Sequence, residues 1–258
     1  MIKNLCIFCL LLSALAHGAE YQKGSHITDA VWEEVKPHFL PPKHPAKAVL
    51  DNASSRARLT ANLPTLQAAG FVPLRGLRGR MVIAAHPKMK GYLIKTFLDT
   101  TNLFNQDWAL WKRRVVGANI LRDAIDRLGY DHLFKVPKKW IYPLPETPLP
   151  LQASGQYPQH FILVVEHIDI YDPKHNEKFY QEKITFEMLD ALFVLMRDFR
   201  LVDSHLSNIP LCKDGKIAFI DTEFVNTSSR KMKYDRLTRY LAPDMKNHWK
   251  NLTKGAPK

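Results

Sequence analysis

Three features of the sequence predict an α+β chain of two lobes, with an amino-terminal sheet followed by a mainly helical carboxy-terminal lobe. Apolar runs at 71–74, 80–84 and 92–97 stand between turn residues in the manner of short strands. Residues 102–128 then repeat Leu103, Leu110, Trp111, Val115, Ala118, Leu121, Ile125 and Leu128 at helical spacing, and Gly129 ends the run. After a further apolar run at 161–165 the order becomes helix, loop and hairpin, and thirty-seven residues follow Asp221.

The chain opens with Met1-Ile2-Lys3-Asn4, an apolar run from Leu5 to Ala16 and small residues beyond. This is the pattern of a secretory signal peptide over 1–16, cleaved at Ala14-Leu15-Ala16. The run is short for a membrane span and no later stretch reaches that length. The mature chain is therefore expected to lack a transmembrane segment and to be exported, to a periplasm or beyond it. Cleavage removes Cys6 and Cys9 and leaves Cys212, which cannot close a disulfide within the chain, a pattern that favours a bacterial exported protein. The remaining ~240 residues suffice for one domain of two lobes. With 37 Lys and Arg against 25 Asp and Glu the formal charge is +12. Such a surplus attracts phosphate-bearing substrates, anionic membranes and nucleic acid alike.

Residues 17–70 read as a helical amino-terminal extension. Thr28 or Asp29 caps a helix through Trp32 and Val35 that stops at Lys36-Pro37, and the prolines of 40–45 extend the linker after it. A second helix is expected over 46–69, interrupted near Pro64 and closed by Gly70. Residues 71–168 hold the sheet. Its third strand contains one lysine, Lys95, whose ammonium would be costly to bury without a negative partner. Residues 140–142 add a strand, the prolines from Pro143 to Pro150 a rigid loop, and 161–165 a central buried strand. From 169 onward lies the second lobe, with a main helix over 186–199 carrying Leu189, Leu192, Phe193 and Met196 on one face.

That helix leads into the stretch richest in chemistry. Asp203 and Asn208 are five positions apart, and Asp221 follows thirteen later. Between them Ile209 and Leu211, the turn Lys213-Asp214-Gly215, and Ile217, Phe219 and Ile220 read as a hairpin that returns Asp221 beside Asn208. A carboxylate at Asp203 can meet an incoming hydroxyl. An amide oxygen and a carboxylate on adjacent strand ends are hard ligands of the kind Mg²⁺ prefers, with phosphate and water completing its shell.

On D-S-H-L-S-N-I-P-L followed by G-K-I-A-F-I-D, the chain resembles the protein kinase-like superfamily. The D-x-H-x-x-N-I form is similar to phosphoinositide kinases and the I-D-T-E ending to aminoglycoside phosphotransferases. The resemblance implies a two-lobed kinase-like fold with an antiparallel amino-terminal sheet and a mainly helical carboxy-terminal lobe, which the thirty-seven residues after Asp221 leave minimal and shortened beside a full protein kinase. It implies ATP and Mg²⁺ as cofactors, Asp203 as the acceptor base, and Asn208 and Asp221 as metal ligands. It further implies Lys95 on the nucleotide phosphates, the turn at Gly76 and Gly79 above them, and the strand exit Glu166-His167-Ile168-Asp169 as the adenine-binding hinge, with Glu166 and Ile168 as its binding residues. His205 resembles the histidine of phosphoinositide kinases. Protein kinases carry a glutamate on the helix after the third strand, paired with the strand lysine. Here the only acids are Asp107, Asp123 and Asp126, with Arg113 and Arg114 where the glutamate is expected.

The expected function is thus an exported phosphotransferase acting on an anionic lipid or a protein. The missing glutamate keeps open a catalytically inactive kinase-like binding module, and a variant that transfers AMP is a further alternative. Arg230, Lys231, Lys233, Arg236 and Arg239 read as a solvated basic helix face or as a contact with an anionic partner. No nucleic-acid motif accompanies the charge, so specific nucleic-acid binding is not expected. The sequence contains neither H-E-x-x-H nor G-x-S-x-G, which removes zinc-protease and serine-hydrolase readings.

Overall fold

A computed structural model describes residues 20–74, 81–104, 106–150, 153–226 and 231–256. The signal-peptide residues 1–16, Gly76, Gly79 and Arg230 lie outside the described residues. Those residues form an α+β structure with a five-stranded antiparallel sheet and eight α-helices. Two compact units result, one running to Trp108 and including Trp140–Val164, the other comprising Ala109–Lys139 and Val165–Lys258.

In the first unit, α1 (Asp29–Val35) begins where Thr28 accepts a hydrogen bond from the Val31 amide, and a 3-10 turn, Lys36–His38, ends it at Pro37. The linker after it is less extended than its prolines predict. Leu40 donates its amide to Ile141, but His44 closes a turn onto Pro41. The single helix expected over 46–69 is two, α2 (Pro45–Ser54) and α3 (Leu63–Ala68). The break falls before Pro64 because Asn62 caps the Thr65 amide and Pro64, lacking an N–H, is tolerated in the first turn.

The sheet is built from β1 (Val72–Pro73), β2 (Met81–Ala85), β3 (Tyr92–Phe97), β5 (Lys139–Pro143) and β6 (Phe161–Glu166), in the order β1-β2-β3-β6-β5. One face carries Val82, Ala84, Ile94, Tyr142, Ile162 and Val164 against Leu40, Leu50, Leu59, Leu66 and Phe71 of the amino-terminal segments. Each fully buried Val, Leu, Ile or Phe among them contributes roughly 1.5–3 kcal/mol. A one-residue register slip would turn Lys95, which pairs with Ile83 on the opposite face, into this core.

The long helix α4 (Asp107–Leu128), whose first two residues belong to the first unit and the rest to the second, starts five residues later than the periodicity predicts. Asp107 marks the start, because its carboxylate takes the amides of Trp108, His160 and Phe161. The core of the second unit gathers Leu121 and Ile125 of α4 with Leu189, Leu192 and Met196 of a helix at Phe186–Asp198 and with Trp249 of a helix at Pro243–Thr253. These are α6 and α8. Between them in the chain stands the four-residue α7 (Asp235–Thr238), and before them α5 (Pro173–Glu182), which the sequence reading did not anticipate. Equally unanticipated is a parallel pair of two-residue strands, β4 (Phe134–Lys135) with β7 (Ile217–Ala218). Among the described residues no helix is long and apolar enough to cross a membrane.

Candidate functional site

The Asp-containing loop is placed by what precedes it. Helix α6 ends in a left-handed residue, Arg200 (φ 48°), and the Leu201 amide reaches back to Met196, a reversal that turns the chain sharply off the helix axis. Val202 then donates its amide to the Phe224 carbonyl at 3.4 Å, and Ile220 donates to the Asn208 carbonyl at 3.0 Å. These two ties frame both chemistry-bearing loops, 203–207 on one side and 221–223 on the other. The hairpin that sets Asp221 beside Asn208 is therefore present, closed by Ala218 to Pro210, Cys212 to Lys216 and Gly215 to Cys212. Its near strand also meets the chain after the expected hinge, since Tyr171 donates to Leu211 and Lys213 to Asp169.

A polar cavity of about 650 Å³ opens at this loop, lined by Asp203, His205, Ser207, Asn208, Asp235, Arg236 and Arg239. Arg236 Nη1 lies 2.6 Å from Asp203 Oδ1, so the candidate base is paired with an arginine that the sequence reading had placed on a solvated face. Lys231, Lys233 and Arg239 are exposed, the first two ahead of the helix and Arg239 at the cavity. Asn208 is half-buried, and its carboxamide makes no hydrogen bond to another described residue. The Ser207 amide donates to His205 Nδ1 at 3.2 Å.

Asp221 is held from the side of α4. Arg114 Nη2 stands 3.4 Å from Asp221 Oδ2 and 3.0 Å from Glu223 Oε2, and Arg113 Nη2 stands 3.3 Å from Glu223 Oε1. Between the two acids, Thr222 donates its hydroxyl to the Arg114 carbonyl at 2.6 Å and accepts from Lys139 Nζ at 2.7 Å. Gly117 permits this closeness: a Cβ there would come within 2.1 Å of the Thr222 carbonyl oxygen. The helix thus presents arginines where the resemblance implies a glutamate, and they meet the carboxylates of the loop.

The remaining residues singled out in the sequence fall as follows. Lys95 is buried in β3, 7% exposed, in the first unit. Glu166 closes β6 and spends its carboxylate on the Lys138 amide at 3.1 Å, while its own amide donates to the Lys138 carbonyl. Ile168 is half-buried. Asp107, one of the three acids of that helix, has its carboxylate occupied by the amides of Trp108, His160 and Phe161. Burial raises its pKa to about 6, against the lowering effect of its amide donors. Burial likewise pushes the Cys212 thiol up to about 11, which makes it a poor nucleophile.

Sequence reasoning missed Arg114, Glu223, Thr222, Lys139 and Arg236. Glu223 stood in the quoted I-D-T-E ending and offered the one available signal, an acid two residues after Asp221. The donor set fits Mg²⁺ in chemistry, one carboxylate and one unengaged amide oxygen, with the rest left to phosphate and water. Among the described residues no group of three or more His, Cys, Asp or Glu is arranged to hold a metal by itself.

No family model matches the chain, and no curated protein matches it. Among solved structures, a similar chain is the one titled "The complex structure of Rv3197-erythromycin from Mycobacterium tuberculosis", 14% identical, with the match covering 86% of this chain and 64% of that one. The TM-score is 0.31, a likeness too slight to carry an argument about fold or function.

Proposed function

We propose that the chain is an exported kinase-like phosphotransferase that moves a phosphoryl group from Mg-ATP to an acceptor, an anionic lipid or a protein. What supports the reading is the pair of backbone ties, Val202 to Phe224 and Ile220 to Asn208, which frames Asp203, Asn208 and Asp221 in one arrangement beside a polar cavity. In it, Asp203 orients the acceptor hydroxyl and takes its proton, and Asn208 and Asp221 hold the metal. Bound Mg²⁺ supplies neutralisation of the phosphate charge. Glu166 and Ile168 are assigned to the adenine end. Catalysis of this type rests on positioning and charge. Arg236 must therefore yield Asp203 when the acceptor arrives, and Arg114 must share Asp221 with the metal.

The test is ATP consumption with Mg²⁺ by the wild type and by Asp221→Ala. Turnover in the wild type and its loss in the variant support the assignment, and equal turnover in both refutes it. A second reading, a kinase-like binding module without turnover, is favoured by the same two contacts, since Asp203 and Asp221 are each paired with an arginine. It predicts no ATP consumption in the wild type. Thermal shifts with ATP, with and without Mg²⁺, then report whether nucleotide binds at all. Transfer of AMP in place of phosphate is read by the mass added to a modified acceptor.

A further inference from the structure

The loop cavity of the second unit contains two hydrogen-bond donors facing each other. A neutral imidazole carries one proton, on one nitrogen only. The Ser207 main-chain N–H points at His205 Nδ1 from a fixed backbone position, and the Ser207 hydroxyl lies 2.9 Å from the same nitrogen. An N–H aimed at Nδ1 leaves no room for a proton there, so the proton belongs on Nε2. Arg239 Nη2 stands 3.2 Å from that Nε2. A guanidinium accepts nothing. The approach of Arg239 to His205 is therefore donor against donor, and an acceptor oxygen between them would satisfy both.

The surroundings specify what that acceptor carries. Arg236 lines the same cavity one helical turn away and already holds one carboxylate oxygen, Asp203 Oδ1. The described stretch 231–239 carries Lys231, Lys233, Arg236 and Arg239 against a single acid, Asp235, which stands at the same cavity. An arginine fork recognises carboxylate and phosphate by paired N–H bonds, and such charge-assisted bonds are about twice as strong as neutral ones. We propose that His205 Nε2 and Arg239, with Arg236, form a binding site for a phosphate-type oxyanion beside Asp203. On the phosphotransferase reading, on which this second step rests, the oxyanion is a phosphate already present on the acceptor, and binding it draws Arg236 away from Asp203 and frees the base.

The experiment titrates inorganic phosphate into the full mature chain by calorimetry, for the wild type, Arg239→Gln, His205→Phe and Asp221→Asn. Expected are binding by the wild type, a loss of about tenfold or more in affinity for Arg239→Gln and for His205→Phe, as follows from removing a donor to a charged acceptor, and no change for Asp221→Asn. Vesicles of phosphatidylcholine containing phosphatidic acid form a second arm. Association that inorganic phosphate competes away assigns the oxyanion to a lipid headgroup, whereas phosphate binding without vesicle association assigns it to a soluble acceptor. No phosphate binding by the wild type, or equal binding by Arg239→Gln and His205→Phe, overturns the site. Phosphate binding together with no ATP turnover by the wild type leaves the site standing and removes the phosphotransferase reading. Turnover without phosphate binding does the reverse.

Discussion

Each unit contains an arginine held by an aspartate, and the two pairs are built differently. In the first unit Arg58 and Asp99 are 6% and 2% exposed and share two contacts, Nε to Oδ2 at 2.6 Å and Nη2 to Oδ1 at 3.3 Å. Their remaining capacity is used by main chain: Arg58 donates to the Gln159 carbonyl, Asp99 accepts from the Gln159 amide, and the Asp99 amide donates to Thr60. In the second unit Arg114 divides one nitrogen between Asp221 at 3.4 Å and Glu223 at 3.0 Å, and Asp221 is 28% exposed. The first pair is saturated and dry, so neither partner can be replaced. The second is long, shared and wet on one side, which leaves Asp221 able to exchange its arginine for another cation. The same two residue types thus make a structural pin in one unit and a candidate exchangeable site in the other.

Breaking the dry pair should have the largest effect. Asp99→Asn leaves Arg58 buried without its counter-charge, and a loss of about 3–5 kcal/mol is expected in urea unfolding. A loss under about 1 kcal/mol would mean that the pair is as replaceable as the other. Next comes Gly117→Ala, which drives a methyl into the Thr222 carbonyl and against the Val225 side chain. It should cost about 1–3 kcal/mol and, on the proposed function, lower ATP turnover by displacing Asp221. Unchanged unfolding and turnover would show that the loop does not depend on its closeness to α4.

A third measurement uses pH within the first unit. Burial first, then the charges of His26 and Arg58, push His160 down to about 3, and its ring stacks on His26 at 3.9 Å between centroids. The unfolded chain takes up this proton near 6.5 and the folded chain only near 3. The stability from neutral His160 is thus present above 6.5 and lost as pH falls, by about 1.4 kcal/mol per pH unit. Asp107 acts in the opposite sense: its folded pKa of about 6 lies above the usual 3.8, so stability is gained as pH falls through 6 and is fully present below 3.8. The two slopes oppose each other between pH 4 and 6. Replacing His160 by Phe should expose the Asp107 slope, so that variant minus wild type grows by about 1.4 kcal/mol per unit of falling pH in that window. A flat difference would remove His160 as the titrating group.

The smallest expected change in stability belongs to the wet pair. Asp221→Asn should shift unfolding by less than about 1 kcal/mol while, on the proposed function, lowering ATP turnover by about 100-fold or more. That split between stability and activity is what separates an exchangeable site from a pin. A stability loss comparable to that of Asp99→Asn would merge the two pairs.

Elements with local codes were readable in the chain. Thr28 has a side chain that bonds its own helix amide, the period of Leu121 and Ile125 marks a helix face, and Lys213-Asp214-Gly215 is turn chemistry whatever surrounds it. The spacing of Asp203, Asn208 and Asp221 was readable for the same reason, since a hairpin of that length returns its two ends to each other. The start of α4 at Asp107 was not, because the reason for it, the amides of His160 and Phe161 where β6 begins, lies more than fifty residues away. Helix α5 did carry local signals, Asp172 capping the Lys174 and His175 amides and Pro173 in the first turn, and they went unread; the β4–β7 pair joins two-residue strands from distant parts of the chain, which no local pattern records.

What the sequence by itself determined is the set of local elements and the order in which a carboxylate, an amide and a second carboxylate follow one another. What only the tertiary structure decided is which charges stand opposite them: Arg236 on Asp203, Arg114 on Asp221, Arg239 on His205, each pair separated by more than thirty positions. The physical reason is range. Backbone preference and periodicity act within a few residues, whereas the partner of a charge is chosen by the packing of elements that meet only after folding, and no spacing in the chain records it.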